Sequence, residues 1–384
     1  MKHKRFTILL ILSHLIVLSI LISACNLFPG GLENNTSSTI QVDQFTQDLP
    51  FANVEFVLNI PDAINDEVIL EVIDDITGIE LNPTRYVMEK VNDRQYHLIL
   101  PSAVPSVIKY RFYKHNNLPV YETNAENQVV EYRMTFIEQE SVIYNQLTNW
   151  QDEQYSHAYG RLIGQLTNKE TNSPIPNALI VAGGVHTYSS STGRFVIDSL
   201  PPGKHNLVVA ATDGEYQTFQ QEAIIGEGLT TPANIGLTAA KFVNITFLVK
   251  PPENSPDTAP IRILGNTYQL GNVFGNIYTG TSITPSRAPK LTPLEGNLYT
   301  IKLSLPSGYY LRYKYSLGDG FWNAELNSEQ QFVVRHIVVP ETDTEIGDII
   351  HSWNTEGKKP VEFTVNVPEL TPENDIVSIQ FNSF

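Results

Sequence analysis

Few side chains in this sequence are spaced for catalysis. Nine histidines occur; those beyond residue 25 include no pair four apart that could clamp a metal on one helix face. HExxH, GxSxG, a P-loop and GxGxxG are all missing, and with them the usual spacings for zinc hydrolysis, acyl transfer and nucleotide binding. Acids are plentiful, 41 in total. Asp74-Asp75 and the acidic stretch from Asp62 to Glu67 could hold calcium, but loop carboxylates are usually solvated. Carboxylates paired in space for glycoside hydrolysis leave no local signature, yet small β modules rarely enclose such a cleft. We therefore expect no catalytic residue, no cofactor and no metal. One nucleophile stands out, the single cysteine of the chain, Cys25.

Its surroundings define its chemistry. Lys2, Lys4 and Arg5 precede an apolar run from Phe6 to Ala24, which closes on Ile22-Ser23-Ala24-Cys25. A charged start, an apolar stretch and a small-residue cleavage site make a signal peptide over 1–24. The run is also about long enough to span a bilayer as an uncleaved helix; the position of the only Cys favours the leader. The four residues resemble the lipobox of bacterial lipoproteins, with Ile22 where Leu is commoner. That resemblance implies lipidation of Cys25 and a membrane-anchored protein on the extracytoplasmic side.

Loss of Lys2, Lys4 and Arg5 with the leader lowers the formal charge from −16 by three, to −19. Such a surface repels phosphate backbones, so nucleic acid is excluded as a partner. No second cysteine exists for a disulfide, so stability must come from cores. About 360 residues is too many for one core and fits several domains. Short alternating apolar runs, broken by Pro, Gly and Asn, dominate throughout, and no window keeps a helical period. The fold class is all-β, a tandem array of β-sandwiches.

Residues 25–49 are small and polar and are expected to be a flexible tether. Three later segments begin alike: Asn53 to Pro61, Asn244 to Pro251 and Val361 to Pro368. Each alternates apolar and polar residues and stops at Pro, as a half-buried strand before a turn does. The first two also agree far downstream. Ile108 to Tyr113 matches Leu311 to Tyr315, and without a gap Glu122 meets Glu325, Asn124 meets Asn327 and Trp150 meets Trp353. Residues 50–150 and 241–354 are thus expected to be two copies of one sandwich, the second longer by roughly a dozen residues near Gly271 to Pro293. The third copy, 358–384, stops after its second strand. A lone strand pair buries no core, so the chain reads either as a fragment of a longer one or as ending in a segment that docks on a neighbour, the former being preferred.

Between the copies, 158–240 has another pattern: Gly160 to Leu166, Pro174 to Val181, Ser191-Thr192-Gly193-Arg194-Phe195, then Leu200-Pro201-Pro202-Gly203 and Leu207 to Val209. Gly193 suits a positive-φ turn and Pro202-Gly203 a type II turn. This segment resembles the carboxypeptidase regulatory-like domain, a transthyretin-type sandwich. The resemblance implies a spacer or folding module without catalysis.

The segment 241–354 carries Ile263-Leu264-Gly265-Asn266, Leu270-Gly271-Asn272, Tyr313-Lys314-Tyr315 and an aromatic-plus-Glu stretch, Phe321-Trp322-Asn323-Ala324-Glu325. In that order these resemble the starch-binding domain, carbohydrate-binding module family 20, and 50–150 resembles it more weakly. By the resemblance, Lys314, Phe321, Trp322, Asn323, Glu325 and Asn327 would line a sugar site, as would Arg111, Tyr121 and Glu122 in the first copy. Aromatic rings stack on the apolar faces of glucose while polar neighbours bond its hydroxyls. Two departures exist: Val273 stands where the family has Trp, and Asn323-Ala324 separate Trp322 from Glu325. Trp322 packed in a hairpin or interdomain core is the competing reading, the role expected for Trp150 and Trp353. The function implied is lipid-tethered binding of starch or a related α-glucan, with a glycoside hydrolase as a possible partner. The alternative is a structural or adhesive cell-surface stalk that has lost sugar binding.

Overall fold

A computed structural model describes residues 42–73, 83–153, 158–256, 259–271, 288–318, 323–355, 364–372 and 377. Three sandwiches follow one another. The first contains β1 (Phe51–Asn59), β2 (Glu67–Ile73), β3 (Thr84–Val87), β4 (Glu89–Asn92), β5 (Gln95–Ala103), β6 (Ser106–Asn116), β7 (Leu118–Thr123), β8 (Arg133–Ile137), β9 (Ser141–Gln146) and β10 (Asn149–Trp150). One sheet runs β4-β5-β1-β9; the other runs β10-β7-β6-β2-β3, with β8 also on β6. Alternation places Val54, Phe56 and Leu58 of β1 inside, against Leu100, Tyr110, Phe112 and Trp150.

The middle sandwich contains β11 (Gly160–Asn168), β12 (Ala178–Ala182), β13 (Val185–Tyr188), β14 (Arg194–Leu200), β15 (Gly203–Ala211), β16 (Phe219–Ile225), β17 (Thr230–Pro232) and β18 (Ile235–Leu237). Its sheets are β14-β11-β17, with β18 further along β11, and β13-β12-β15-β16. Gly193 has φ +74°, and a β-carbon there would collide with the Leu166 carbonyl, so the turn needs glycine.

The third sandwich contains β19 (Phe242–Lys250), β20 (Ile261–Gly265), β21 (Thr292–Leu294), β22 (Leu298–Pro306), β23 (Tyr310–Leu317), β24 (Glu325–Leu326), β25 (Arg335–Val338), β26 (Thr344–Ile349) and β27 (Ser352–Trp353). Its strand order, β21-β22-β19-β26 over β20-β23-β25 with β24-β27 alongside, repeats that of the first. The registers also repeat. Val54 faces Leu100 and lies parallel to Ser141; Ile245 faces Leu303 and lies parallel to Thr344.

The first two sandwiches share a core. Ile73, Val107, Tyr132 and Met134 of the first close on Leu179, Val181, Val208 and Ala210 of the second. Gln220 joins them by polar contacts: its Oε1 accepts from the Phe136 amide at 2.7 Å and its Nε2 donates to the Phe136 carbonyl at 2.9 Å. Burying an apolar side chain such as Leu179 or Val181 in that core is worth about 1.5–3 kcal/mol, so these sandwiches form one body, not separate beads.

Two boundary expectations need correction. Residues 42–47, assigned to the tether, dock on the third sandwich: the Phe45 amide donates to the Gly347 carbonyl at 2.7 Å, and Val42 is buried against Leu248 and Leu298. The described part of the third copy, 364–372, forms no strand, and Val365, Val367 and Leu370 are exposed. A half-apolar segment without a partner strand has no ladder to join.

Candidate functional site

Strands alternate faces, and this decides where the sugar-site residues go. Tyr121 and Glu122 are adjacent on β7, so only one of them can face outward. Tyr121 does, half-buried, with the Arg111 guanidinium 4.4 Å above its ring and Tyr113 at 5.4 Å. Glu122 points inward and is fully buried. It accepts from Arg133 Nε at 3.0 Å, from Arg133 Nη2 at 2.8 Å and from the Phe112 amide at 3.0 Å.

The third sandwich repeats the arrangement. Glu325 is fully buried and accepts from Arg335 Nε at 3.1 Å, from Arg335 Nη2 at 2.7 Å and from the Tyr315 amide at 3.0 Å. Each arginine also reaches the next strand: Arg133 Nη2 donates to the Gln146 carbonyl at 3.0 Å and Arg335 Nη2 to the Ile349 carbonyl at 2.8 Å. Arg335 further binds Asp348 at 2.8 Å. Burial works against its charge, but Glu325 and Asp348 outweigh burial and hold the guanidinium above its ordinary range. These carboxylates bolt strands together and do not face a sugar.

Arg111 is likewise buried, its Nε donating to the buried Glu71 at 2.7 Å, while Arg85 holds the other oxygen of Glu71 at 3.1 Å. Lys314 is buried too, on the face of β23 opposite Tyr313 and Tyr315. Asn327 spends its side-chain oxygen on its own turn, accepting from the amides of Glu329 and Gln331 at 2.9 Å each; Asn124 does the same for Glu126 and Gln128. Asn323 is half-buried. Phe321 and Trp322 lie outside the described residues, as do Val273, Asp74-Asp75 and Cys25. Of the expected site, the structure brings Arg111 and Tyr121 together and corrects Glu122, Glu325, Arg111 and Lys314 from sugar contacts to buried structural groups. Trp150 and Trp353 pack in the cores, Trp353 Nε1 donating to Ser255 at 2.8 Å.

Sequence reasoning missed a polar cleft of about 540 Å³ between the first two sandwiches, lined among others by Asn124, Glu126, Glu131, His186 and Asp198. His186 stacks on Tyr132 with centroids 5.3 Å apart, and burial lowers its pKa while Glu131 opposes the shift. The cleft suits a small neutral or cationic polar molecule. Among the described residues no group of His, Cys, Asp and Glu could hold a metal ion. Reasoning from local pattern also missed Gln44 and Gln47, which reach the third sandwich from 305 and 291 residues away.

The fold defines an all-β array of sandwich modules. Within it, residues 161–238 match the model of the Carboxypeptidase regulatory-like domain. Among curated proteins, none matches the chain. Solved structures with partial likeness include the Bacillus anthracis TIE protein, 13% identical over 80% of this chain and 51% of that one, with a TM-score of 0.20. The chain thus spans about half the length of that protein. A streptococcal ancillary pilin is 10% identical over 78% of this chain and 99% of its own, TM-score 0.27. A family 15 glycoside hydrolase, the glucoamylase from Hypocrea jecorina, is 21% identical over 32% of this chain and 20% of its own, TM-score 0.23. Overlaps of this size carry no functional argument.

Proposed function

We propose that this chain is a non-catalytic structural stalk or spacer on the extracytoplasmic side of a membrane, in which a starch-binding-type sandwich serves as a building block. One observation carries the reading. The glutamate that the family resemblance would place against sugar is, in both copies, buried beneath the sheet and held by an arginine. The apolar core shared by the first two sandwiches adds to it, because a spacer must transmit position without bending between modules. The tether is a lipid on Cys25, a part of the proposal that rests on the leader sequence.

The sugar-binding reading keeps one structural support, Tyr121 on an outward sheet face beside Arg111, and one from the family resemblance, Trp322, which lies outside the described residues. Affinity electrophoresis of the protein without its leader, in gels containing starch, glycogen or pullulan, separates the two. A stalk migrates as it does without polysaccharide. Retardation that is lost in Trp322→Ala or Tyr121→Ala restores α-glucan binding and overturns the stalk.

A further inference from the structure

The two copies share a seam at the same place and fill it differently. In the third sandwich β25 ends one sheet and β26 the other, and residues 42–47 lie in the seam between them. Gln44 and Gln47 run alongside β25, meeting Arg335 and Val338 in step. Gln44 makes a full set of amide contacts. Its oxygen accepts from the Ile349 amide at 3.0 Å and Arg335 Nη1 at 3.4 Å, and its nitrogen donates to Asp348 Oδ1 at 3.0 Å. Gln47 accepts from the Val338 amide at 2.6 Å. Phe45 packs on the core while its amide pairs with β26. The Asp43 carbonyl sits where a β-carbon of Gly347 would be, so the strap fits only over glycine there.

The corresponding seam of the first sandwich is filled differently, by β15 of the middle one. Asn206 donates to the Met134 carbonyl on β8 at 3.1 Å, and Lys204 lies 4.4 Å over the Tyr144 ring on β9. Two residues distinguish the seams. Where the third has Gly347, the first has Tyr144, whose side chain would stand in the strap's path. Where the third has Asp348, the first has Asn145, whose nitrogen is committed to the Val57 and Ile143 carbonyls and whose oxygen takes the Tyr110 hydroxyl. Asp348 instead takes the Tyr313 and Tyr315 hydroxyls on one oxygen, leaving the other for Arg335 and Gln44.

We propose that the β25–β26 seam of the third sandwich is a sequence-selective binding site for an extended peptide with Gln, an aromatic, any residue and Gln in succession, filled in cis by residues 44–47. Recognition is of an extended segment: one main-chain bond, from the Phe45 amide to the Gly347 carbonyl, anchors it, and the glutamine side chains on the strand amides, Arg335 and Asp348 choose it. Because the ligand is tethered, its effective concentration is on the order of millimolar, and a free peptide at lower concentration cannot displace it.

The test uses the chain without its leader and a fluorescein-labelled synthetic peptide of residues 41–48, read by fluorescence anisotropy. Gln44→Ala with Gln47→Ala in the protein weakens the strap. That variant should bind the wild-type peptide saturably, at concentrations at least about tenfold lower than the wild-type protein requires. A peptide carrying Gln44→Ala should bind at least about tenfold more weakly than the wild-type peptide. Adding Gly347→Val to the variant should abolish binding. Absence of saturable binding to a variant that keeps the wild-type circular dichroism spectrum overturns the proposal. So does equal binding of a scrambled peptide, or equal binding by the wild-type protein. A variant that fails to fold overturns it as well, because the strap is then part of the core and no separable ligand.

Discussion

Glu325 and Arg335 meet below the second sheet of the third sandwich in a forked contact, 3.1 Å at Nε and 2.7 Å at Nη2. Glu122 and Arg133 make the same contact in the first sandwich, at 3.0 and 2.8 Å. The pairs differ in what lies next to them: Arg335 also holds Asp348, whereas the first copy has the neutral Asn145.

That difference gives opposite responses to double replacement. Glu122→Leu alone leaves a buried guanidinium and should cost about 3–5 kcal/mol, while Glu122→Leu with Arg133→Met should recover most of it. In the third sandwich the matching double variant strands Asp348 and should recover little. Urea unfolding followed by tryptophan fluorescence measures both.

Met134 lies in the core shared by the first two sandwiches. Met134→Ala should destabilise by about 2–5 kcal/mol. In calorimetry the joint transition of those two sandwiches should broaden or split, because the lost contacts couple them. An unchanged joint transition would mean that the Met134 contacts do not couple the two sandwiches.

His205 gives the acid limb of stability. It is fully buried, its Nε2 lies 2.7 Å from the Pro201 carbonyl, and burial lowers its pKa to about 4. The unfolded chain takes up a proton near pH 6.5 and the folded chain does not until about pH 4. Stability therefore falls as pH drops through that window and levels off below it, by roughly 3 kcal/mol in total. His205→Gln, which keeps a donor for Pro201, should flatten the thermal-melt profile across the same pH range.

Cys25→Ser should leave the protein exported but unanchored and without label from a radioactive fatty acid, while the wild-type chain incorporates it. An unlabelled wild-type chain removes the lipid tether from the proposed function and leaves the sandwich array as it is.

The strands were legible because their apolar residues alternate, as in β19, where Val243, Ile245, Phe247 and Val249 are buried. The repeat was legible for the same reason, and Gly193 from its turn chemistry. The faces of the candidate site were partly readable: Tyr121 and Glu122 adjoin, so they could never share one sugar. The arginine partners were hidden by register. Carried on without a gap, the alignment that matches Glu122 to Glu325 sets Arg133 against His336. The equivalent Arg335 is one position earlier, because the second copy is one residue shorter before β25 and regains it before β26. The strap was hidden by composition, since polar Gln44 and Gln47 look like linker until a seam 291 residues away supplies their partners.

The contact from Gln44 to Asp348 closes a loop of 304 residues. A chain made from its N-terminus exposes Gln44 early, long before β25 and β26 exist to receive it. The entropic cost of closing so long a loop grows only as its logarithm, and folding of the intervening sandwiches shortens the span first. Strap docking therefore follows the pairings within the third sandwich, and an emerging chain carries an unplaced strap until that sandwich is complete.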